Sequence, residues 1–269
     1  TFQAWWKRVL AAQEQSPGIS WSEINDTVGP GPWPQPEGRK SGFRPAGLAK
    51  TMLKRIAPYT LSGFLFYQGE EDTKHPHLYR HLLMTMIAFW RDVFLDASLP
   101  FLNCQLPMYI GKGEEDVRNW PPLRRAQEQV FADMRNTGLA VLIDCGEFDN
   151  IHPKDKKTVG HRLYLQALKV AYGCDIDADS PRALNKRRQG GALIVSLSAP
   201  VRVSGEASLF EVAGEDGVFH PAQCEVQGQE LRVYSKAVPV PLCVRYAWVN
   251  YGTVHLFGEN GLPLAPFML

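Results

Sequence analysis

Long apolar runs are missing from this sequence, because no stretch reaches the roughly 18 residues that a membrane-spanning helix needs. The five cysteines form no C-x-x-C pair. This argues against a zinc or redox motif and favours a reducing compartment such as the cytoplasm over secretion. Neither sign of charge dominates, since 29 basic and 28 acidic residues leave a net charge of +1. Nucleic acid and membrane surfaces are therefore not expected partners.

Alternating helix and strand patterns fill the first part of the chain, residues 1–175. Apolar spacing predicts helices at 2–15, 47–56, 78–94, 121–135 and 156–172, and buried strands at 61–67, 101–106 and 139–144. Such alternation is typical of an α/β domain, a parallel sheet covered by helices on both faces. Ligands of such sheets bind beyond the carboxyl ends of the strands.

The pattern changes after Gly173. Residues 176–191 are polar and are interpreted as a linker, with Lys186, Arg187 and Arg188 as solvated charges. Short alternating strands follow at 192–197, 201–203, 208–212, 231–234 and 244–248, which predicts a small all-β sandwich domain over 192–269. A Pro- and Gly-rich stretch over 26–46 is predicted to be a long loop.

Asp149-Asn150-Ile151-His152-Pro153 follows the third predicted strand. A carboxylate at Asp149 would accept from His152 Nδ1–H and leave Nε2 free to take a proton. Pro153 is expected to begin the following helix. The alternative is that Asp149 and Asn150 only shape a turn, with His152 as a cap or surface residue.

Gln68-Gly69-Glu70 directly follows the first predicted strand. Gly69 permits a tight exit and close approach by a substrate. The amide of Gln68 would donate to a developing oxyanion. The alternative is that Gln68 and Glu70 cap the turn and the next helix.

Two other groups suggest chemistry less strongly. Cys145 comes just before the His152 loop, but its apolar surroundings favour a buried small side chain over a nucleophile. His75, His77 and His81 have a spacing that would allow a metal, but a solvated helix end is the favoured interpretation. No metal and no cofactor is expected.

Together these motifs resemble the sialate O-acetylesterase family of SGNH hydrolases. The resemblance is carried by segments along nearly the whole chain: 44–48, 66–72, 101–106, 124–127, 149–154, 213–217, 244–248 and 261–263. It implies an SGNH-like three-layer α/β domain followed by the β-sandwich. It also implies an esterase that removes O-acetyl groups from sugars such as sialic acid. The runner-up activities are acetyl-xylan esterase and a non-catalytic carbohydrate-binding or assembly subunit.

By this resemblance His152 is the general base of a Ser-His-Asp mechanism and Asp149 orients it. Gln68 and Gly69 belong to the oxyanion block, and Glu70 supports that loop through hydrogen bonds. Four further residues are predicted to bind substrate. These are Trp33, Tyr109 and Trp120 as aromatic pocket walls and Arg44 as a partner for a sugar carboxylate. The alternatives are that each aromatic side chain fills its own loop, which is less favoured for Trp33 and Trp120, and that Arg44 serves equally as a loop anchor.

One departure from the family pattern concerns the nucleophile. The family's serine lies in a Gly-Gln-Ser-Asn block, and this sequence contains no such block. Since the chain also opens at Thr1 without an initiator Met, we expect it to be the C-terminal fragment of a nicked precursor. The fragment would lack the first strand of the sheet, and its partner would be the N-terminal piece that carries the serine. A separately encoded subunit and a decayed, non-catalytic relative are the alternatives.

Overall fold

The computed structural model describes residues 1–32, 44, 46–57 and 59–269. The chain forms two compact units, Thr1–Tyr59 and Thr60–Leu269. All of the described strands belong to the second unit. None of the helices in the described ranges is long and apolar enough to cross a membrane.

The first unit is helical. It contains α1 (Phe2–Gln15), α2 (Trp21–Val28), a π-helical turn (Ala49–Leu53) and α3 (Lys54–Ile56). Trp5 and Val9 of α1 pack on Ile24 of α2, and Ser20 with Glu23 forms a capping box that begins α2. The bounds predicted for α1 are confirmed, whereas the prediction missed α2. Most of the loop predicted at 26–46 lies outside the described residues, and its first three residues end α2.

A parallel sheet of order β1-β2-β3 begins the second unit. The strands are β1 (Phe64–Phe66), β2 (Phe101–Gln105) and β3 (Thr137–Val141). They alternate with a 3₁₀ turn (Glu71–Lys74) and three helices, α4 (Pro76–Val93), α5 (Trp120–Asp133) and α6 (Lys156–Val170). The predicted parallel sheet is thus confirmed, with most boundaries within a few residues.

Helices cover both faces of this sheet. Alternate residues of a strand face opposite sides, so residues of one strand pack against helices on different faces. Phe101 of β2 packs with Ile87 of α4 and Leu123 of α5. Cys104 of the same strand packs with Val159 of α6. This arrangement leaves the carboxyl ends of β1 and β3 open for loops that carry polar side chains.

The remaining strands form a seven-stranded antiparallel sheet of order β12-β10-β7-β8-β9-β5-β4 and a two-stranded sheet of β11 and β6. The strands are β4 (Ala183–Gln189), β5 (Ala192–Leu197), β6 (Val201–Val203), β7 (Phe210–Ala213), β8 (Phe219–Gln227), β9 (Glu230–Tyr234), β10 (Cys243–Tyr246), β11 (Leu256–Gly258) and β12 (Phe267–Met268). A mixed α/β chain with a separate antiparallel sheet is therefore confirmed.

The prediction of a polar linker over residues 176–191 is wrong. Residues 183–189 form β4, which pairs with β5 along its length. β4 lies at the sheet edge, where charged side chains suit an edge strand, and Arg187 pairs with Glu230 at 2.9 Å. One apolar cluster joins Leu139 and Val141 of β3 to Val195 of β5. The predicted domain bounds, 1–175 and 192–269, stay a prediction.

Candidate active site

A groove with a volume of 590 Å³ lies beside the loop that follows β1 and the loop that precedes α6. Its lining residues are Tyr67, Gln68, Glu70, Glu71, Ile151, His152 and Lys156. Two of the loops singled out in the sequence therefore meet at one site. His152 and Gln68, predicted as base and oxyanion donor, share this groove.

The Gln68 loop is fixed by hydrogen bonds from both sides. The Gln68 carbonyl accepts from the Tyr79 hydroxyl at 2.9 Å and from Gln127 Nε2 at 3.1 Å. Gln68 Nε2 donates to Asp72 Oδ2 at 2.6 Å. The side-chain amide is thus held in one orientation at the wall of the groove. Because Nε2 carries two hydrogens and Asp72 accepts one, a second donor remains for a ligand.

Gln127 is a residue that the sequence reasoning did not single out for a role. It is fully buried on α5, and besides holding Gln68 it accepts from Leu106 N at 2.9 Å through Oε1. A buried amide must satisfy its hydrogen bonds internally. The signal that would have found it is one glutamine on the apolar face of a predicted helix.

Gly69 is buried with a φ of 149°, a conformation that residues with a side chain rarely adopt. A Cβ at this position would lie 2.8 Å from Leu123 Cδ2. Gly69 N donates to Glu70 Oε2 at 3.0 Å, and the Glu70 carbonyl accepts from Thr73 Oγ1 at 2.7 Å. The roles predicted for Gly69 and Glu70 stay predictions, with Glu70 hydrogen-bonded inside its own loop.

His152 is exposed between two anchored neighbours. Ile151 packs on the α4–α5 cluster, and Pro153 is buried. The backbone N–H of His152 donates to Asn150 Oδ1 at 3.0 Å. Within the described ranges no hydrogen bond involves the His152 ring, so both of its nitrogens face solvent or a ligand. Helix α6 begins at Lys156 with Asp155 as its N-cap, so the start predicted at residue 156 is confirmed. The expectation that Pro153 begins the helix is wrong, because Pro153 lies three residues before it.

Asp149 is hydrogen-bonded to the loop at residues 110–112, whereas the predicted partner was the ring of His152. Its Oδ1 accepts from Lys112 N at 2.8 Å, and its own N–H donates to the Ile110 carbonyl at 3.0 Å. Asp149 has a φ of 58°. No hydrogen bond joins Asp149 to His152 in the part of the chain that the structure describes. Asp149 thus fastens its loop to residues 110–112, and its role as orienter of the ring stays a prediction.

Glu147 is the second acid of the His152 loop, and the sequence reasoning missed it. Its Oε1 accepts from Lys154 N at 2.5 Å and its Oε2 from Asn150 Nδ2 at 2.8 Å. These two hydrogen bonds, in that order, lower the pKa of Glu147 below its ordinary value. The carboxylate therefore holds the chain on both sides of His152.

Lys156 supplies a cation to the groove. Its Nζ lies 4.9 Å from the centroid of the Tyr67 ring, within the range of a cation–π contact. Burial and then the charge of Glu70 raise the pKa of Tyr67, so its hydroxyl stays neutral. Among the described residues no carboxylate lies within 4.0 Å of Lys156 Nζ, whereas Glu71 pairs with Lys74 at 2.8 Å.

Cys145 lies in the core, as its apolar surroundings predict. Burial and then the charge of Asp144 raise the pKa of the Cys145 thiol to about 12. A thiol that resists ionisation is a poor nucleophile.

His75, His77 and His81 are exposed, and the described part of the chain contains no group of three or more His, Cys, Asp or Glu side chains that would hold a metal.

The predicted aromatic pocket walls have different outcomes. Trp120 is a core residue, 5% exposed, and its ring packs at 5.3 Å on the half-buried Tyr109. The prediction of Trp120 as a stacking surface is thereby corrected, because a buried ring presents no face to a sugar. Tyr109 does not line the groove. Trp33 lies outside the described residues. Arg44 belongs to the first unit, and its role stays a prediction.

Comparisons with known proteins show what the chain as a whole is similar to. No family model matches the chain. A solved structure of a carbohydrate acetylesterase from Xanthomonas citri is similar with a TM-score of 0.75 and 34% identity, over 80% of this chain and 51% of that one. The fold and the matched structure relate this chain to the class of carbohydrate acetylesterases.

Curated relatives make the relationship narrower. The sialate O-acetylesterase of Mus musculus is 35% identical over 76% of this chain and 42% of its own length. That of Homo sapiens is 33% identical over 82% of this chain and 48% of its own length. The chain is therefore a relative of the sialate O-acetylesterases, and the resemblance predicted from its motifs is confirmed. It spans about half the length of the curated relatives it matches.

Proposed function

We propose that this chain carries the base and the oxyanion donor of a carbohydrate O-acetylesterase. The observation that carries the proposal is that His152 and Gln68 line one groove. Its relatives include a carbohydrate acetylesterase and several sialate O-acetylesterases. The reaction would be hydrolysis of an acetyl ester through an acetyl-enzyme.

In this mechanism a serine attacks the acetyl carbonyl while His152 accepts the serine proton. The protonated His152 then donates to the sugar oxygen as it leaves. The second N–H of Gln68 Nε2 stabilises the oxyanion, since the bond to Asp72 fixes the direction of the amide. Water activated by His152 then releases acetate and restores the serine. The ring of His152 must be neutral in the first step, because only a neutral imidazole can accept the serine proton.

We propose that the serine comes from a segment outside this sequence, by way of the edge of β1. β1 pairs only with β2 among the described strands, and Leu65 in its centre is 64% exposed. An open edge with an exposed leucine suits the addition of another strand. A strand added beside β1 and parallel to it would deliver its carboxyl end next to Gln68.

The proposed substrate is an O-acetylated sialic acid. Lys156 supports it, because an ammonium without an ion pair within 4.0 Å among the described residues is suited to bind a sugar carboxylate. An acetylated neutral sugar such as xylan is the second candidate, favoured by the acidic side chains of Glu70 and Glu71 in the same groove. The alternative to an esterase of either kind is a carbohydrate-binding subunit that has no turnover.

Native mass spectrometry of the material purified from its source, repeated after denaturation, tests the proposed serine segment. A second polypeptide with a Gly-Gln-Ser-Asn block, or a longer chain that includes one, is the expected result. A lone 30.2 kDa species would contradict the proposal. Acetate release from O-acetylated sialic acid by the same material tests the activity, and binding without acetate release would favour the non-catalytic subunit.

A further inference from the structure

We infer that Glu147 is a positioning residue for His152, a role that rests on the function proposed above. Glu147 does not line the groove. It acts through hydrogen bonds that close around the histidine from both directions. Lys154 N, two residues after His152, donates to Oε1 at 2.5 Å. Asn150 Nδ2, two residues before His152, donates to Oε2 at 2.8 Å.

Asn150 carries the connection to His152 itself. While its Nδ2 donates to Glu147, its Oδ1 accepts the backbone N–H of His152 at 3.0 Å. The Asn150 amide therefore needs a hydrogen-bond acceptor on one side and a donor on the other, and only one orientation satisfies both. A carboxylate at position 147 fixes that orientation, which in turn fixes the backbone of His152.

Other contacts also hold the His152 loop, including a backbone bridge between Glu147 and Asn150 and the burial of Pro153. Asp149 fastens the loop to Ile110 and Lys112, and the Ile151 side chain packs inward. The ring of His152 has no hydrogen-bonding partner of its own within the described ranges. Its position relative to Gln68 is set by the backbone, so a small shift of this backbone would displace the base from the reacting serine.

The interpretation makes a reciprocal prediction. In Glu147→Gln the new amide offers one acceptor where two donors are waiting, so either Lys154 N or Asn150 Nδ2 loses its partner. In Asn150→Asp two carboxylates face each other. The double variant E147Q/N150D restores every hydrogen bond. In the bond between positions 147 and 150 the donor and the acceptor exchange places. The new amide at position 147 would donate to the new carboxylate at position 150 and accept from Lys154 N.

Amide hydrogen exchange in the intact chain measures how firmly the backbone of His152 and Lys154 is held, and the measurement does not require turnover. We expect Glu147→Gln to speed exchange about tenfold at Lys154 or at His152, according to which donor loses its partner, and Asn150→Asp to speed exchange about tenfold at His152, because the two carboxylates repel. We expect the double variant to return both rates to within about threefold of the original. Glu115→Gln is the matched control, because Glu115 is exposed and its side chain makes no hydrogen bond within the described ranges. Unchanged exchange in Glu147→Gln, or a double variant no better than the single ones, overturns the inference.

Kinetics of the complete esterase separate positioning from simple loop stability. Each single variant should lower kcat by about tenfold or more with KM within about twofold, and the double variant should recover kcat. Faster exchange with unchanged kcat would overturn the positioning role. If the unsubstituted enzyme released no acetate, the proposed function would fail, and the exchange rates would still decide whether Glu147 fixes the backbone of His152.

Discussion

His152 and Gln68 line the same groove although they belong to loops that leave different strands. Gln68 is fixed by hydrogen bonds to Asp72, Tyr79 and Gln127, whereas the ring of His152 is exposed. One member of the pair is thus rigid and the other is solvent-accessible. This division suits an oxyanion donor that must not reorganise and a base that must exchange protons with a ligand and water.

His152→Ala is expected to remove nearly all esterase turnover of the assembled protein, by about 10²- to 10⁴-fold in kcat. The free energy of unfolding should change by less than about 0.5 kcal/mol, because the ring is exposed. Acetate release and urea unfolding measure the two effects. His161→Ala is the matched control, since His161 is exposed on α6 away from the groove. Turnover that survived in His152→Ala would remove His152 from the mechanism.

Gln68→Ala is expected to lower kcat by about 10²-fold, the cost of one lost oxyanion donor, with a smaller change in KM. The backbone of the loop should persist, because Tyr79 and Gln127 donate to the carbonyl of residue 68. Single-turnover release of acetate isolates the chemical step. Gln129→Ala on the exposed side of α5 is the control, and an equal loss in both variants would contradict the oxyanion role.

The elements that were predictable from the sequence are those whose apolar residues repeat with the period of a helix or of a strand. The helix over 2–15 and the strands over 192–197 and 201–203 agree with α1, β5 and β6 to the residue. The prediction missed β4 and β8, because each carries many polar side chains and neither has a fully buried residue. Both strands pair with neighbours in the sequence, since two residues separate β4 from β5 and β8 from β9, and five separate β7 from β8. Their strand conformation therefore depends on backbone pairing with these neighbours, which a search for apolar alternation does not detect.

The candidate site was predictable where it depended on position at a strand end. Gln68 and His152 follow strands of one parallel sheet, so their convergence follows from the topology. The partners of Asp149 and Glu147 were not predictable, since they depend on how a loop without regular structure folds back on residues 110–112 and 154. Trp120 was misplaced for a related reason: its position at the start of α5 turns its ring toward the core.

Alkylation of the cysteines should divide them by burial. Burial raises the pKa of both Cys104 and Cys145 to about 12, whereas Cys174 is exposed. Near pH 9 Cys174 should react rapidly with iodoacetamide because it is accessible, while the two buried thiols stay protonated. Peptide mass mapping measures this, with urea-unfolded chain and Cys174→Ser as controls. Labelling of Cys145 in the folded chain as fast as in urea would contradict its burial.

The raised thiol pKa also sets the direction of a pH effect on stability. A folded-state pKa above the unfolded value favours the folded chain below about pH 8.5, where both states hold the proton. Above that pH the unfolded thiols ionise first, so the contribution of Cys104 and Cys145 falls as pH rises toward 12. Replacing Cys145 by Ala should make the free energy of unfolding less sensitive to pH over this range.

Lys156→Gln is expected to weaken binding of N-acetylneuraminic acid while leaving its methyl ester unaffected. The two ligands differ in the charge of the carboxyl group and in one methyl group, so the change of their affinity ratio in Lys156→Gln reports the cation in the groove. We expect the acid to bind about tenfold more tightly than the ester, and Lys156→Gln to abolish the difference, as loss of about 1.4 kcal/mol would. Titration followed by NMR on the intact chain measures both affinities without any need for turnover.

Lys157→Gln is the matched control for Lys156. It removes the same charge from the adjacent position of α6, and Lys157 does not line the groove. If charge near the groove attracted the acid only at long range, both variants would weaken binding similarly and the effect would fade with added salt. A loss confined to Lys156→Gln that persists at about 0.5 M salt would mean direct contact with the carboxylate. Equal binding of acid and ester by the unsubstituted chain would remove the support for an acidic sugar and favour a neutral acetylated one.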